Sequence, residues 1–150
     1  MEGKQIDPAG AYQTLLLLWF ALLASQFLFI LLLFVLKHDL MRIDLSRPLL
    51  EESAIIVIGI AALSVLNLVL SFEQRKKLLE QAVSEQNVGH VLTALIIGGG
   101  LCESISLFGI VLAFVFDYPY FWLFFALGIF GTIFHFPRRK TFEAASYKNL

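Results

Sequence analysis

Four stretches of this chain are apolar almost without interruption, and charged or turn-forming residues separate them. They run from about Thr14 to Leu36, Ser53 to Phe72, Val91 to Phe116 and Tyr118 to Phe136. Each comes close to or exceeds the roughly 20 residues that carry a helix across a bilayer, and the third, at about 26, is the longest. Lipid offers no partner to a loose N–H or C=O, so each stretch is expected to be a helix. The pattern predicts an all-α polytopic membrane protein with four transmembrane helices arranged as two hairpins. Residues 1–150 then form a single membrane domain. The first run exceeds a signal-peptide core and follows a mixed segment, Met1 to Gly10, so it is read as a retained helix.

Composition agrees: 59% of residues are hydrophobic and 15% charged, outside the range of soluble domains. The single cysteine, Cys102, has no internal disulfide partner and is read as a small packing residue. Basic residues are unevenly placed. Lys4, Arg75, Lys76, Lys77, Arg138, Arg139, Lys140 and Lys148 fall on one side of the predicted topology. The other side has only Lys37, Arg42 and Arg47, diluted by Asp39, Asp44, Glu51, Glu52 and Asp117. The positive-inside rule then puts both termini and the middle loop in the cytoplasm, in the manner of a bacterial inner-membrane protein.

Arg47-Pro48 and Glu51-Glu52 read as a turn followed by the N-terminus of the second helix, where acidic groups suit the dipole. Glu73 to Asn87 contains no Gly or Pro, so the second helix is expected to run on past the apolar stretch as an amphipathic extension. Tyr118-Pro119-Tyr120 marks a tight turn between the third and fourth helices. A weak internal repeat pairs Arg75-Lys76-Lys77 with Arg138-Arg139-Lys140, and Thr14, Ser25, Leu28 and Phe29 with Thr93, Ser104, Leu107 and Phe108. The first two helices then correspond to the last two.

Glu103 interrupts the third apolar run near its middle. A charged group at that depth costs several kcal/mol, so intramembrane carboxylates mark ion paths or buried partners. At about 100° per residue, Gly98, Gly99, Cys102, Ser106, Gly109 and Ala113 form an arc to one side of Glu103. Such a surface lets another backbone approach closely. Burial disfavours the charged form of a carboxyl, which suits Glu103 to loading and releasing a proton. With further oxygen ligands it is suited instead to holding Na⁺. Ser104 and Ser106 on the same helix, with Asn67 and Gln26 on others at similar depth, are the candidate ligands. Each is equally a candidate for plain interhelical hydrogen bonding.

The segment Glu103-Ser104-Ile105-Ser106-Leu107-Phe108-Gly109-Ile110-Val111-Leu112-Ala113-Phe114, closed by Asp117-Tyr118-Pro119-Tyr120, resembles the carboxylate helix of the ring-forming c subunit (proteolipid) of rotary ATP synthases. The specific resemblance is confined to this helix and the turn that closes it. It implies that Glu103 is the ion-carrying carboxylate, and the Ser104 that follows is similar to the sodium-using branch. The second helix has only Gly59 where that family carries a glycine ladder, and Arg75-Lys76-Lys77 stands where its polar loop motif falls.

Other chemistry is sparse. His90 and His135 near one end of the third and fourth helices make a haem or pigment site the lesser reading beside polar caps. Gly98-Gly99-Gly100 follows no strand and is no phosphate loop. There is no Ser-His-Asp set, no metal-spaced cluster and no basic surface suited to nucleic acid, which points away from an enzyme. The leading expectation is translocation of protons or Na⁺ through Glu103 and Ser104. The alternative is a structural or assembly subunit of a larger membrane energy-converting complex. In either case the expected partners are the lipid bilayer and a homo-oligomer or larger complex.

Overall fold

The computed structural model describes residues 8–37, 39, 48–50 and 54–146. These form five helices: α1 (Pro8–Leu36), α2 (Ala54–Glu85), α3 (Val88–Phe116), α4 (Trp122–Phe134) and α5 (Arg139–Ser146). Three of them, α1, α2 and α3, are long and apolar enough to cross a membrane. The expected turn at Arg47-Pro48 and the acidic pair Glu51-Glu52 lie outside the described residues, apart from Pro48, as do Lys4 and Lys148.

The expected extension of the second helix is present, because α2 runs unbroken through Arg75-Lys76-Lys77 to Glu85. Only Gln86 and Asn87 then link it to α3. Gln86 adopts the left-handed region at φ 52°. Its amide donates to the carbonyls of Val83 at 2.7 Å and Ala144 at 2.9 Å, which offsets the cost of that backbone. Asn87 caps α3, its Oδ1 accepting from the Gly89 N–H at 2.9 Å. Asp117, at φ 46°, ends α3, and its N–H returns to the Leu112 carbonyl.

The fourth apolar segment departs from expectation. Its helix covers only 13 residues, Trp122–Phe134. That is about 20 Å of helix, against a hydrocarbon core of about 30 Å. Pro119 keeps the preceding residues out of the helix. Pro137 breaks the chain between α4 and α5, and amphipathic α5 turns Phe142 and Ala145 inward. The halves that the expected repeat would pair are unlike: one continuous 32-residue helix, α2, stands where the second half has a broken α4–α5 pair.

Helix α3 is the centre of the bundle, with 44% of its apolar window buried against 11% for α1 and 17% for α2. The outer faces of α1 and α2 display Leu17, Phe20, Leu28, Val35, Ile55 and Ile58, an apolar surface suited to lipid. Two clusters fix the sense of the helices. At one end Leu15 of α1, Ala82 of α2, Val91 and Leu95 of α3, and Phe142 of α5 pack together. At the other, Val57 of α2 meets Leu112 of α3 with Tyr118 and Tyr120, while Lys37 pairs with Asp117 at 2.6 Å. Helices α1 and α3 thus run parallel, with α2 antiparallel between them in sequence. The starts of α1 and α3, the α2–α3 link and α5 all gather at the first end, which also carries Arg75 to Lys77 and Arg138 to Lys140.

Candidate functional site

The small-residue arc on α3 is a packing surface. A Cβ at Gly98 would fall against His135, one at Gly99 against Leu22, and one at Gly109 against the Phe121 carbonyl and the Phe124 and Phe125 side chains. Helix α4 answers with small residues of its own. A Cβ at Gly128 would collide with Ser106 Oγ and the Cys102 carbonyl, and one at Gly131 with Cys102 Sγ. Gly109 and Gly128 bring the backbones of α3 and α4 close together, and polar side chains occupy the seam.

The first polar group is fully enclosed. Gln26, Ser106 and Thr132 each have 0% exposure. The Ser106 hydroxyl donates to Gln26 Oε1 at 2.8 Å, and Gln26 Nε2 donates to Thr132 Oγ1 at 2.6 Å and to the Leu22 carbonyl at 3.3 Å. Thr132 passes its own proton to the Gly128 carbonyl at 3.0 Å, and Trp19 Nε1 donates to the Thr132 carbonyl at 2.8 Å. Every donor of the Gln26 amide and both hydroxyls is committed. This knot joins α1, α3 and α4.

The second group ties α2 to α3. Asn67 Nδ2 donates to Ser104 Oγ at 2.8 Å, and Ser104 donates to the Leu101 carbonyl at 2.7 Å. The third surrounds buried Cys102, whose Sγ is 3.6 Å from Ser71 Oγ and 3.9 Å from His135 Nδ1. His135 sets Nδ1 against the Gly131 carbonyl at 2.7 Å and Nε2 against the Ser71 carbonyl at 3.3 Å. A neutral imidazole donates from one nitrogen only, so the ring bonds one of these two carbonyls at a time while packing between α2 and the end of α4. His90 turns instead to Glu85, with Nε2 2.8 Å from the carboxylate. The two histidines of the lesser haem reading thus point to different partners.

Glu103 stands apart from all three groups. It is half-buried on the seam between α3 and α1, and its partner is Ser25, with Oγ 2.5 Å from Oε1. The same Ser25 oxygen is 2.9 Å from the Leu22 carbonyl. A hydroxyl has one proton to give and can also accept. When Glu103 is ionised, Ser25 turns its proton to the carboxylate. When Glu103 carries a proton, it donates to Ser25 and Ser25 donates to Leu22. The single Ser25 hydroxyl thus lies within hydrogen-bond reach of both oxygens.

Of the residues expected to surround Glu103, Ser104, Ser106, Asn67 and Gln26 all direct their hydrogen bonds elsewhere, to the second group and the knot. Ser25 takes the place expected of them. Sequence reasoning aligns Ser25 with Ser104 as a repeat position and passes over it as a partner. A usable signal is present: α1 and α3 run parallel, and Ser25 and Glu103 fall at similar distances from the starts of their helices. Thr132 is passed over as well, because a threonine in an apolar helix can satisfy itself on the preceding turn.

No family model, curated protein or solved structure matches this chain.

Proposed function

We propose that this chain is a small polytopic membrane protein that exchanges a proton at Glu103. The observation that carries the proposal is the Ser25 hydroxyl, set between the Glu103 carboxyl at 2.5 Å and the Leu22 carbonyl at 2.9 Å, where it serves either protonation state. A proton is favoured over Na⁺ on ligand number. A hard cation gathers about six oxygens, and here the other polar side chains at this depth are turned away. The resemblance of the Glu103 segment to rotary-ATPase proteolipids is in keeping with a carboxyl that is neutralised and released on a helix surface. Half-exposure on the α1–α3 seam also favours a second reading, in which Glu103 is the contact point for a neighbouring transmembrane element in a larger complex.

Carbodiimide labelling of the purified protein in detergent, mapped by mass spectrometry across pH and with or without Na⁺, separates these. The reagent attacks protonated, accessible carboxyls in apolar surroundings. Labelling at Glu103 that falls as pH rises and is indifferent to Na⁺ is the expected result. Protection by Na⁺ would replace the proton with sodium. Absence of labelling at every pH would set the exchange aside in favour of the partner contact.

A further inference from the structure

At the basic end of the bundle Arg75 and Arg138 line the same small cleft. Among the described residues neither forms an ion pair: the pairs at this end are Arg139 with Glu143 at 2.9 Å and His90 with Glu85 at 2.8 Å. Arg75 is fixed in place. Its Nη1 donates to the Phe134 carbonyl at 2.5 Å and its Nη2 to the Phe136 carbonyl at 2.9 Å, so it caps α4. A guanidinium has five N–H donors, more than these two bonds consume. Arg138 is exposed. The two arginines line a small cleft with Thr141, His135 and Pro137 over an apolar floor that includes Leu79 and Leu95. Its volume is about 20 Å³, room for about one water, so a larger ligand must sit at the mouth between the arginines.

The depth of this cleft indicates what it meets. Arg75 follows Phe72, the end of the apolar run of α2, by about 4.5 Å along the helix axis. That is the level of lipid phosphates beside a spanning helix. Helix α5, with Phe142 and Ala145 buried and Arg139 and Lys140 exposed, continues the same basic surface. Two guanidiniums of like charge gain from a shared phosphate, whose oxygens match their forked donors.

We infer that the Arg75–Arg138 cleft binds the phosphate of an anionic lipid headgroup. The inference is independent of proton exchange at Glu103.

The test titrates the full-length protein in neutral detergent with short-chain phosphatidylglycerol, short-chain phosphatidylcholine or inorganic phosphate, following bound species by native mass spectrometry. Phosphatidylglycerol is expected to bind well above phosphatidylcholine. R138Q should weaken it about fivefold, the effect of one basic group at an anionic surface, and R138K, which keeps the charge but not the fork, should restore only part of the loss. Arg138 is chosen because R75Q would also uncap α4. Inorganic phosphate that competes at the affinity of the lipid would overturn the lipid assignment and give the arginine pair to a free phosphate. Equal binding of the two lipids, or R138Q binding phosphatidylglycerol like the unaltered protein, would overturn the site.

Discussion

The Gln26–Ser106–Thr132 knot and the Ser25–Glu103 pair are neighbours at one depth, joined through consecutive residues of α1, yet they are built on opposite principles. In the knot each proton has one destination and each side chain is fully buried. Such a network has a single satisfied arrangement, and in low dielectric any loss leaves a costly orphan. The pair offers one hydroxyl to two acceptors, the half-buried Glu103 carboxyl and the Leu22 carbonyl, and the proposed exchange uses that choice. Polarity inside a membrane thus does two jobs here. One fixes how helices meet, and the other, under the proposed exchange, leaves a group two states.

Substitutions that enter the knot should cost most. Gly128→Val drives a side chain into Ser106 and the Cys102 carbonyl and must part α3 from α4. About 3 kcal/mol of stability is expected to be lost, read as a fall in thermal unfolding temperature in detergent. Gln26→Leu removes the hub and leaves the Ser106 hydroxyl without its acceptor, at about 2 kcal/mol by the same measurement. If Q26L unfolded like the unaltered protein, the knot would not be what holds α1 to α3 and α4.

The pair should respond in the reverse sense, with small stability effects and large effects on exchange. Ser25→Ala deprives Glu103 of the hydroxyl that answers it and should cost about 1 kcal/mol. Carbodiimide labelling of Glu103 in this variant should differ in extent from that of the unaltered protein at the same pH, and identical labelling would remove Ser25 from the exchange. Glu103→Gln should abolish labelling at that position while leaving the unfolding temperature almost unchanged, because a carboxamide still bonds to Ser25. A large stability loss in E103Q would place Glu103 with the knot and erase the contrast. Asn67→Ala removes one interhelical hydrogen bond and is expected to cost only about 0.6 kcal/mol, with labelling of Glu103 unaffected.

How far the site was legible in the sequence follows from the kind of signal each part leaves. Glu103 is conspicuous because charge is rare in an apolar run, and the glycines around it are conspicuous because few other residues permit close packing. Its partner is not conspicuous. Serine is common in transmembrane helices, and choosing among Ser25, Ser104 and Ser106 requires the rotation of each helix about its axis. That rotation is set by contacts such as Gly99 on Leu22 and Gly128 on Ser106, which no single helix encodes. Arg75 presents the same difficulty. In the sequence it belongs to a charge run, whereas in the fold it caps α4, a helix that begins far along the chain at Trp122.

The sequence by itself determined that the chain is helical and apolar, where α2 extends beyond its apolar run, and which residue carries charge at mid-depth. These depend on composition and local periodicity, which the bilayer and the backbone hydrogen bond translate directly into structure. Only the tertiary structure decided that the fourth apolar segment is a short helix followed by a break, and that the expected ligands Ser104, Ser106, Asn67 and Gln26 belong to other seams. It also decided that a serine on α1 answers Glu103. Each depends on how helices distant in sequence pack side by side, where a difference of one residue in rotation exchanges a polar partner for lipid.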